Sequence, residues 1–180
     1  MKFIAEVKTQ SPYGYKSDKN WFELFNLANQ IGDIISIHTN PRWGGSFEDL
    51  KIARSLTDKP ILAKGFHYSK KDVDKCINNG ANHVLFVVKL PQQIYNQYEL
   101  KLFFYEPLTI HQLRGSTDVG VVIWNQRDLL TGKPKKEDFD EVRKIYVKRN
   151  LCQASLLKSW LDVDMSADAI LVGEHLENFK

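Results

Sequence analysis

A chain of 180 residues, 43% of them hydrophobic, is too short for two full domains and too apolar for disorder, so residues 1–180 are expected to form a single globular domain. Its 25 Lys and Arg interleave with 22 Asp and Glu to a net charge of +3, without the basic stripe of a phosphate-backbone binder, and nucleic acid is not an expected partner. No stretch approaches the ~18 apolar residues that span a bilayer, and Met1 to Glu6 meets charge before a signal-peptide core forms; no membrane contact and a cytoplasmic location are expected.

The pattern along the chain alternates short Val/Ile/Phe-rich runs with stretches of helical period, the signature of a parallel sheet with crossover helices. Phe3 to Lys8 reads as the first strand, followed by a long loop from Thr9 to Asn20 and a helix carrying Trp21, Leu24, Phe25 and Ala28 on one face. Ile34 to His38 is the second strand, after which Ser46 caps a helix with Glu48 and Asp49 in its first turn. Ile61 to Lys64 is the third strand, Lys70 to Asn79 its helix with Gly80 as the stop, and His83 to Val88 the fourth.

Later units are trimmed. The connection from Val88 to Leu102 leaves room for two helical turns at most, before a fifth strand at Leu102 to Tyr105. Val119 to Ile123, Ile145 to Val147 and Ala169 to Val172 read as the sixth, seventh and eighth strands. Eight strands in 180 residues leave 22.5 residues per unit, against roughly 31 in a typical eight-stranded βα barrel. By length alone an open, doubly wound sheet of five or six strands fits better. A barrel requires several helices to be short or missing.

Side chains alternate faces along a strand, so Glu6 and Lys8 share one side and Phe3, Ala5 and Val7 the other. Opposite charges at the C-terminal end of a parallel strand are costly to desolvate unless they serve each other, as a structural ion pair, or a ligand. The position recurs: Lys64 ends the third strand, Glu106 follows the fifth, Asn125 ends the sixth and Lys148 ends the seventh. Each alone is equally a solvated loop residue. They converge only if the sheet closes, so the barrel and a site at its mouth stand or fall together. Cys76 and Cys152 lack partners at metal-ligand spacing and read as buried thiols; no metal is implied. His38 and His67 fall near strand ends, and Gly44-Gly45 is too short for a dinucleotide loop.

Ile4-Ala5-Glu6-Val7-Lys8 with Ser11-Pro12 resembles the first strand of indole-3-glycerol phosphate synthases, which are (β/α)8 TIM barrels. The likeness continues in order through Ile35-Ser36-Ile37, Trp43-Gly44-Gly45-Ser46-Phe47-Glu48, Pro60 to Phe66, Gly80-Ala81 with Val84 to Lys89, Asn125-Gln126-Arg127-Asp128, and Ala169 to Glu174. It implies a reduced barrel and a carboxy-lyase that closes and decarboxylates 1-(2-carboxyphenylamino)-1-deoxyribulose 5-phosphate without a cofactor. By resemblance Lys64 is the general acid, Glu106 the base of the dehydration, Glu6 a supporting carboxylate, Lys8 the holder of the departing carboxylate and Asn125 the group orienting a hydroxyl. Ser11, Arg127, Gly173 and Glu174 fall to substrate or phosphate binding, and Phe66 to the aromatic part of the pocket. Where the family reads Glu-Ser-Gly around the seventh strand, this chain is read as Lys148-Arg149-Asn150, with the two cations in place of the phosphate cradle. Gly65 replaces an acid, and His175 stands where Ser or Ala is usual. The other reading is a barrel without turnover that binds a phosphorylated or aromatic metabolite or a protein partner. Lys64, near Lys8 and partly desolvated, is expected to hold its proton loosely, and Lys64→Ala to leave folding nearly intact. Strand faces bared by lost helices are expected to drive self-association into a homo-oligomer.

Overall fold

The structure, a computed structural model, describes residues 1–89, 94, 97–99, 102–114, 119–148 and 150–180. Eight parallel strands close into a barrel in chain order, β1 pairing with both β2 and β8. They are β1 (Lys2–Val7), β2 (Ile34–His38), β3 (Ile61–Lys64), β4 (His83–Val87), β5 (Phe103–Glu106), β6 (Val121–Asn125), β7 (Leu151–Ala154) and β8 (Ala169–Val172). The closed sheet, not the open doubly wound one, is what these 180 residues form, and the barrel is indeed a reduced one.

Alternation along the strands sorts the core into two layers. Ile4, Leu62, Leu85, Phe104, Ile123 and Leu171 point inward and fill the barrel, while Phe3, Ala5, Val7, Ile35 and Ile37 point outward under the helices. Those helices shorten along the chain. α1 (Trp21–Ile31) and α2 (Phe47–Leu56) run three turns and α3 (Lys70–Asn78) nearly as far, each started by a side-chain cap at Asn20, Ser46 or Ser69. After β5, among the described residues, only α4 (Ile110–Arg114) and α5 (Phe139–Ile145) remain. Much of the connection between Val88 and Leu102 lies outside the described residues.

Between β7 and β8 a 3-10 turn at Trp160–Asp162 replaces the helix, and another at Leu176–Phe179 follows β8. Aromatic rings take over the covering role: Trp160 and Phe179 pack on Phe3, with ring centroids 5.9 and 5.8 Å away. Gln153 points outward from β7 and ties this connection down. Its Nε2 donates to the Asp162 carbonyl (3.1 Å) and its Oε1 accepts from the Asp164 amide (2.8 Å). Gln153→Leu strands both backbone groups and should lower stability by about 1–3 kcal/mol in a urea titration.

Several boundaries differ from the sequence reading. β1 ends at Val7, leaving Lys8 just beyond it, and β5 and β6 extend to Glu106 and Asn125. The seventh strand is Leu151–Ala154, not Ile145 to Val147. The Asp138–Glu141 capping box starts a helix that runs through Ile145, and Val147 beyond it is 79% exposed. The β-branched run misled because the true strand breaks its apolar sequence with the outward Gln153. Lys148 consequently precedes β7 and sits on the surface at the end of the barrel away from the strand C-termini.

Candidate active site

The C-terminal strand ends ring a single cleft, walled by Glu6, Lys8, Lys64, Phe66, Glu106, Asn125, Arg127, Gly173 and Glu174 together with Tyr13, His38 and Trp43. Of the residues singled out from sequence, Ser11 and Lys148 do not line it, and Arg149 lies outside the described residues. Ser11 is buried in the β1–α1 loop, where its hydroxyl accepts from the Tyr13 amide (3.3 Å). Lys148 is excluded by the corrected strand, which turns it toward the opposite end.

Glu6 and Lys64 form the deepest pair. Lys64 Nζ stands 3.1 Å from Glu6 Oε1 and 3.3 Å from Oε2. Burial by itself would raise the Glu6 carboxyl and loosen the Lys64 proton, but the mutual attraction wins on both sides. Glu6 is held below the usual carboxylate range by Lys64 and Lys8, and Lys64 above the usual amine range by Glu6 and Glu106. The expectation of a loosely held Lys64 proton is therefore reversed. Gly173 makes the room: a Cβ there would stand 2.5 Å from Glu6 Oε2. Gly65 is similarly confined, with the Thr39 hydroxyl 2.3 Å from where its Cβ would be, so the larger residue of the family pattern does not fit.

Across the cleft, Asn125 Nδ2 donates to the buried Glu106 Oε1 (2.8 Å), and Asn125 Oδ1 accepts the Arg127 amide (2.9 Å). A third cluster joins β1, β6 and β8. Glu174 accepts from Lys8 Nζ through Oε1 (2.8 Å) and from Arg127 Nη2 through Oε2 (3.2 Å). The rings of Tyr15 and Tyr13 pack over Lys8 and Arg127 at 5.5 and 5.4 Å, so the long β1–α1 loop roofs this cluster. Neither tyrosine was singled out from sequence; the length of the loop was the available signal.

The aromatic wall is Trp43, with Phe66 at 5.6 Å and the His38 ring stacked parallel at 5.0 Å. His38 is neutral: burial, reinforced by Lys64 and Lys8 and opposed by Glu6, pushes its pKa down to about 3. His67 does not face the cleft. Its ring bridges Thr39 Oγ1 (3.0 Å) and the Leu85 carbonyl (2.9 Å) in the wall behind.

With β7 correctly placed, Ala154-Ser155-Leu156 occupies its end, where the family reads Glu-Ser-Gly. Ala154 stands in register with Asn125 and Leu171, Ser155 follows it at φ 67, and Leu156 adopts φ 60, the left-handed conformation that glycine takes without cost. Leu156→Gly should relieve strain of about 1 kcal/mol and raise the thermal midpoint, despite the entropy of the added glycine. Leu157 and Lys158 follow along the same rim, so the cation that β7's own end contributes to the cleft is Lys158.

The family model for indole-3-glycerol phosphate synthase matches residues 1–101. The chain is 35% identical over 100 residues to the indole-3-glycerol phosphate synthase of Sulfurisphaera tokodaii, covering 53% of this chain and 41% of that one. It is 34% identical over 148 residues to that of Aquifex aeolicus, covering 73% of this chain and 56% of the other. The chain thus spans about half or less of the length of these relatives. Among solved structures, monomers of the dimeric phosphoribosylanthranilate isomerase of Thermotoga maritima superpose with a TM-score of 0.68 at 12% identity, covering 99% of this chain and 89% of theirs. The N-acetylmannosamine-6-phosphate 2-epimerase of Clostridium perfringens gives 0.66 at 14%, over 97% and 87%. At such identities these two likenesses speak for the barrel alone.

Proposed function

Because the chain belongs to the indole-3-glycerol phosphate synthase family, we propose that it closes the indole ring of 1-(2-carboxyphenylamino)-1-deoxyribulose 5-phosphate, releasing carbon dioxide and water. The observation that carries this reading is the presence of a largely buried ammonium, Lys64, and a buried carboxylate on the far wall, Glu106, inside one aromatic-lined cleft. Ring closure needs a donor at the ketone oxygen while the aromatic carbon attacks, and an acceptor for the proton lost when that oxygen later departs as water. Lys64 supplies the first proton, turning the ketone oxygen into a hydroxyl; Glu106 takes the proton the substrate then loses and passes it to that hydroxyl, which leaves as water. Asn125 orients a sugar hydroxyl while holding Glu106 in place. Lys8 and Arg127 receive the anionic carboxylate that leaves, exchanging Glu174 for it, and Glu6 keeps Lys64 charged until the substrate arrives.

The phosphate end is read onto the rim after β7 and β8, at Ser155 to Lys158 and Gly173, with Lys158 in the role first given to Lys148 and Arg149. Ser11 contributes by shaping the loop that carries Tyr13. Purified protein given the substrate should develop indole fluorescence; binding of the substrate with no product would instead favour a barrel that has kept its pocket and lost turnover. No helix among the described residues is long and apolar enough to cross a membrane, and the reading places the enzyme in the cytoplasm. The helix-poor flank presents Leu161 at 97% and Met165 at 85% exposure beside Trp160, a surface suited to self-association. Sedimentation velocity should show a dimer that Leu161→Asp dissociates; a monomeric wild type removes that part of the reading.

A further inference from the structure

The imidazole of His38 takes no part in the reaction as read above, yet it stands at the centre of its charges. It lies on β2 in register with Lys64 on β3, and its Nε2 is 3.8 Å from Glu6 Oε1, the same oxygen that Lys64 Nζ approaches to 3.1 Å. Stacking on Trp43, with the two ring planes 1° from parallel, fixes the plane in which the imidazole lies. The side chain is 5% exposed, and two polar atoms of this group, His38 Nδ1 and Glu6 Oε1, are buried without a hydrogen bond of good geometry. Unsatisfied buried atoms are uncommon in folded chains and ask for a reason.

We propose that His38 is a positioning residue that shares the Glu6 carboxylate with Lys64, accepting a proton from solvent in mildly acidic solution, at about pH 5, when Lys64 gives its own away. In that step the Lys64 Nζ–H bond breaks and an O–H bond forms on the ligand, while hydronium transfers a proton to the imidazole. Glu6 thus keeps a second cationic neighbour beside Lys8 throughout. The groups facing His38 are Glu6 and Lys8 from β1, Lys64 from β3 and His67 from the turn after β3. With Lys64 charged, the surrounding positive charge and burial keep the ring neutral. With Lys64 neutral, its repulsion is gone and the attraction of Glu6 is undivided. The inference deepens the reading of Lys64 as proton donor and rests on it for its catalytic meaning, but the charge coupling itself is measurable without substrate.

The test is an NMR titration of histidine-labelled full-length protein, with the His38 signal assigned by its loss in His38→Asn. In the wild type the ring should stay neutral down to about pH 4, and in Lys64→Met its midpoint should rise by at least about two units. Adding Glu6→Gln to Lys64→Met should take most of that rise away. Lys64→Gln, which keeps a donor toward Glu6, carries the same measurement if the methionine variant does not fold. A His38 that remains neutral at pH 5 in both Lys64 variants overturns the proposal, as does a rise that persists without the Glu6 charge. Failure of the wild type to form indole would sink the ring-closure reading while leaving this titration unaffected.

Discussion

Lys64→Ala is expected to abolish indole formation, a loss of about 10²–10⁴-fold for removal of a general acid, and also to destabilise the fold by about 3–5 kcal/mol. The second effect comes from Glu6, which is 2% exposed and would be left in the barrel without its main counter-charge. From sequence a lysine at a barrel mouth looks dispensable to folding, and the carboxylate beneath it changes that. Indole fluorescence and urea midpoints separate the two losses. Glu6→Gln combined with Lys64→Met, an uncharged pair of similar volume, should recover most of the stability and none of the activity. If Lys64→Ala proves as stable as the wild type, the buried pair is not the anchor its distances indicate.

Acid should weaken the fold earlier than its carboxylates alone would. His38 is held neutral with a pKa of about 3, against an ordinary value of 6.5. Between those two values the unfolded chain binds the proton that the folded chain refuses, so stability falls as pH drops below 6.5 and the loss is complete near 3. Burial likewise lowers His67 and His83, which add in the same direction. Glu6 has the opposite shift: its contribution is present above its unfolded value of 4.5 and is lost as pH falls through the lower folded value. The window from about pH 6.5 to 4.5 therefore belongs to the histidines, and His38 should account for about 2–3 kcal/mol across it. His38→Phe, which keeps a flat ring against Trp43, should flatten the pH dependence of the urea midpoint in that window. An unchanged slope would mean that His38 takes up protons in the folded protein.

The first half of the barrel was legible because each apolar run stops at a turn signal and each early helix opens on a capping side chain, as at Asn20, Ser46 and Ser69. The second half was less so, since β7 carries an outward glutamine that serves a shortened connection and Ile145 to Val147 imitates a strand. Glu6, Lys8, Lys64 and Asn125 could be picked out by strand alternation and family likeness, both of which are local. What closure creates was out of reach. The tight Lys64 proton depends on a carboxylate 58 residues away, and the Glu174 bridge to Lys8 joins side chains 166 residues apart.

That last bridge lies on the seam of the barrel. Lys8 leaves β1 and Glu174 leaves β8, and these two strands are neighbours only in the closed sheet. Contacts so distant along the chain form late in folding, because a large loop must be closed before they can be made. Lys8 and Arg127 therefore wait for their shared counter-charge until β8 has entered between β7 and β1. The cleft reaches its working charge arrangement as the cylinder shuts, and an unzipped seam would leave two uncompensated cations at the site.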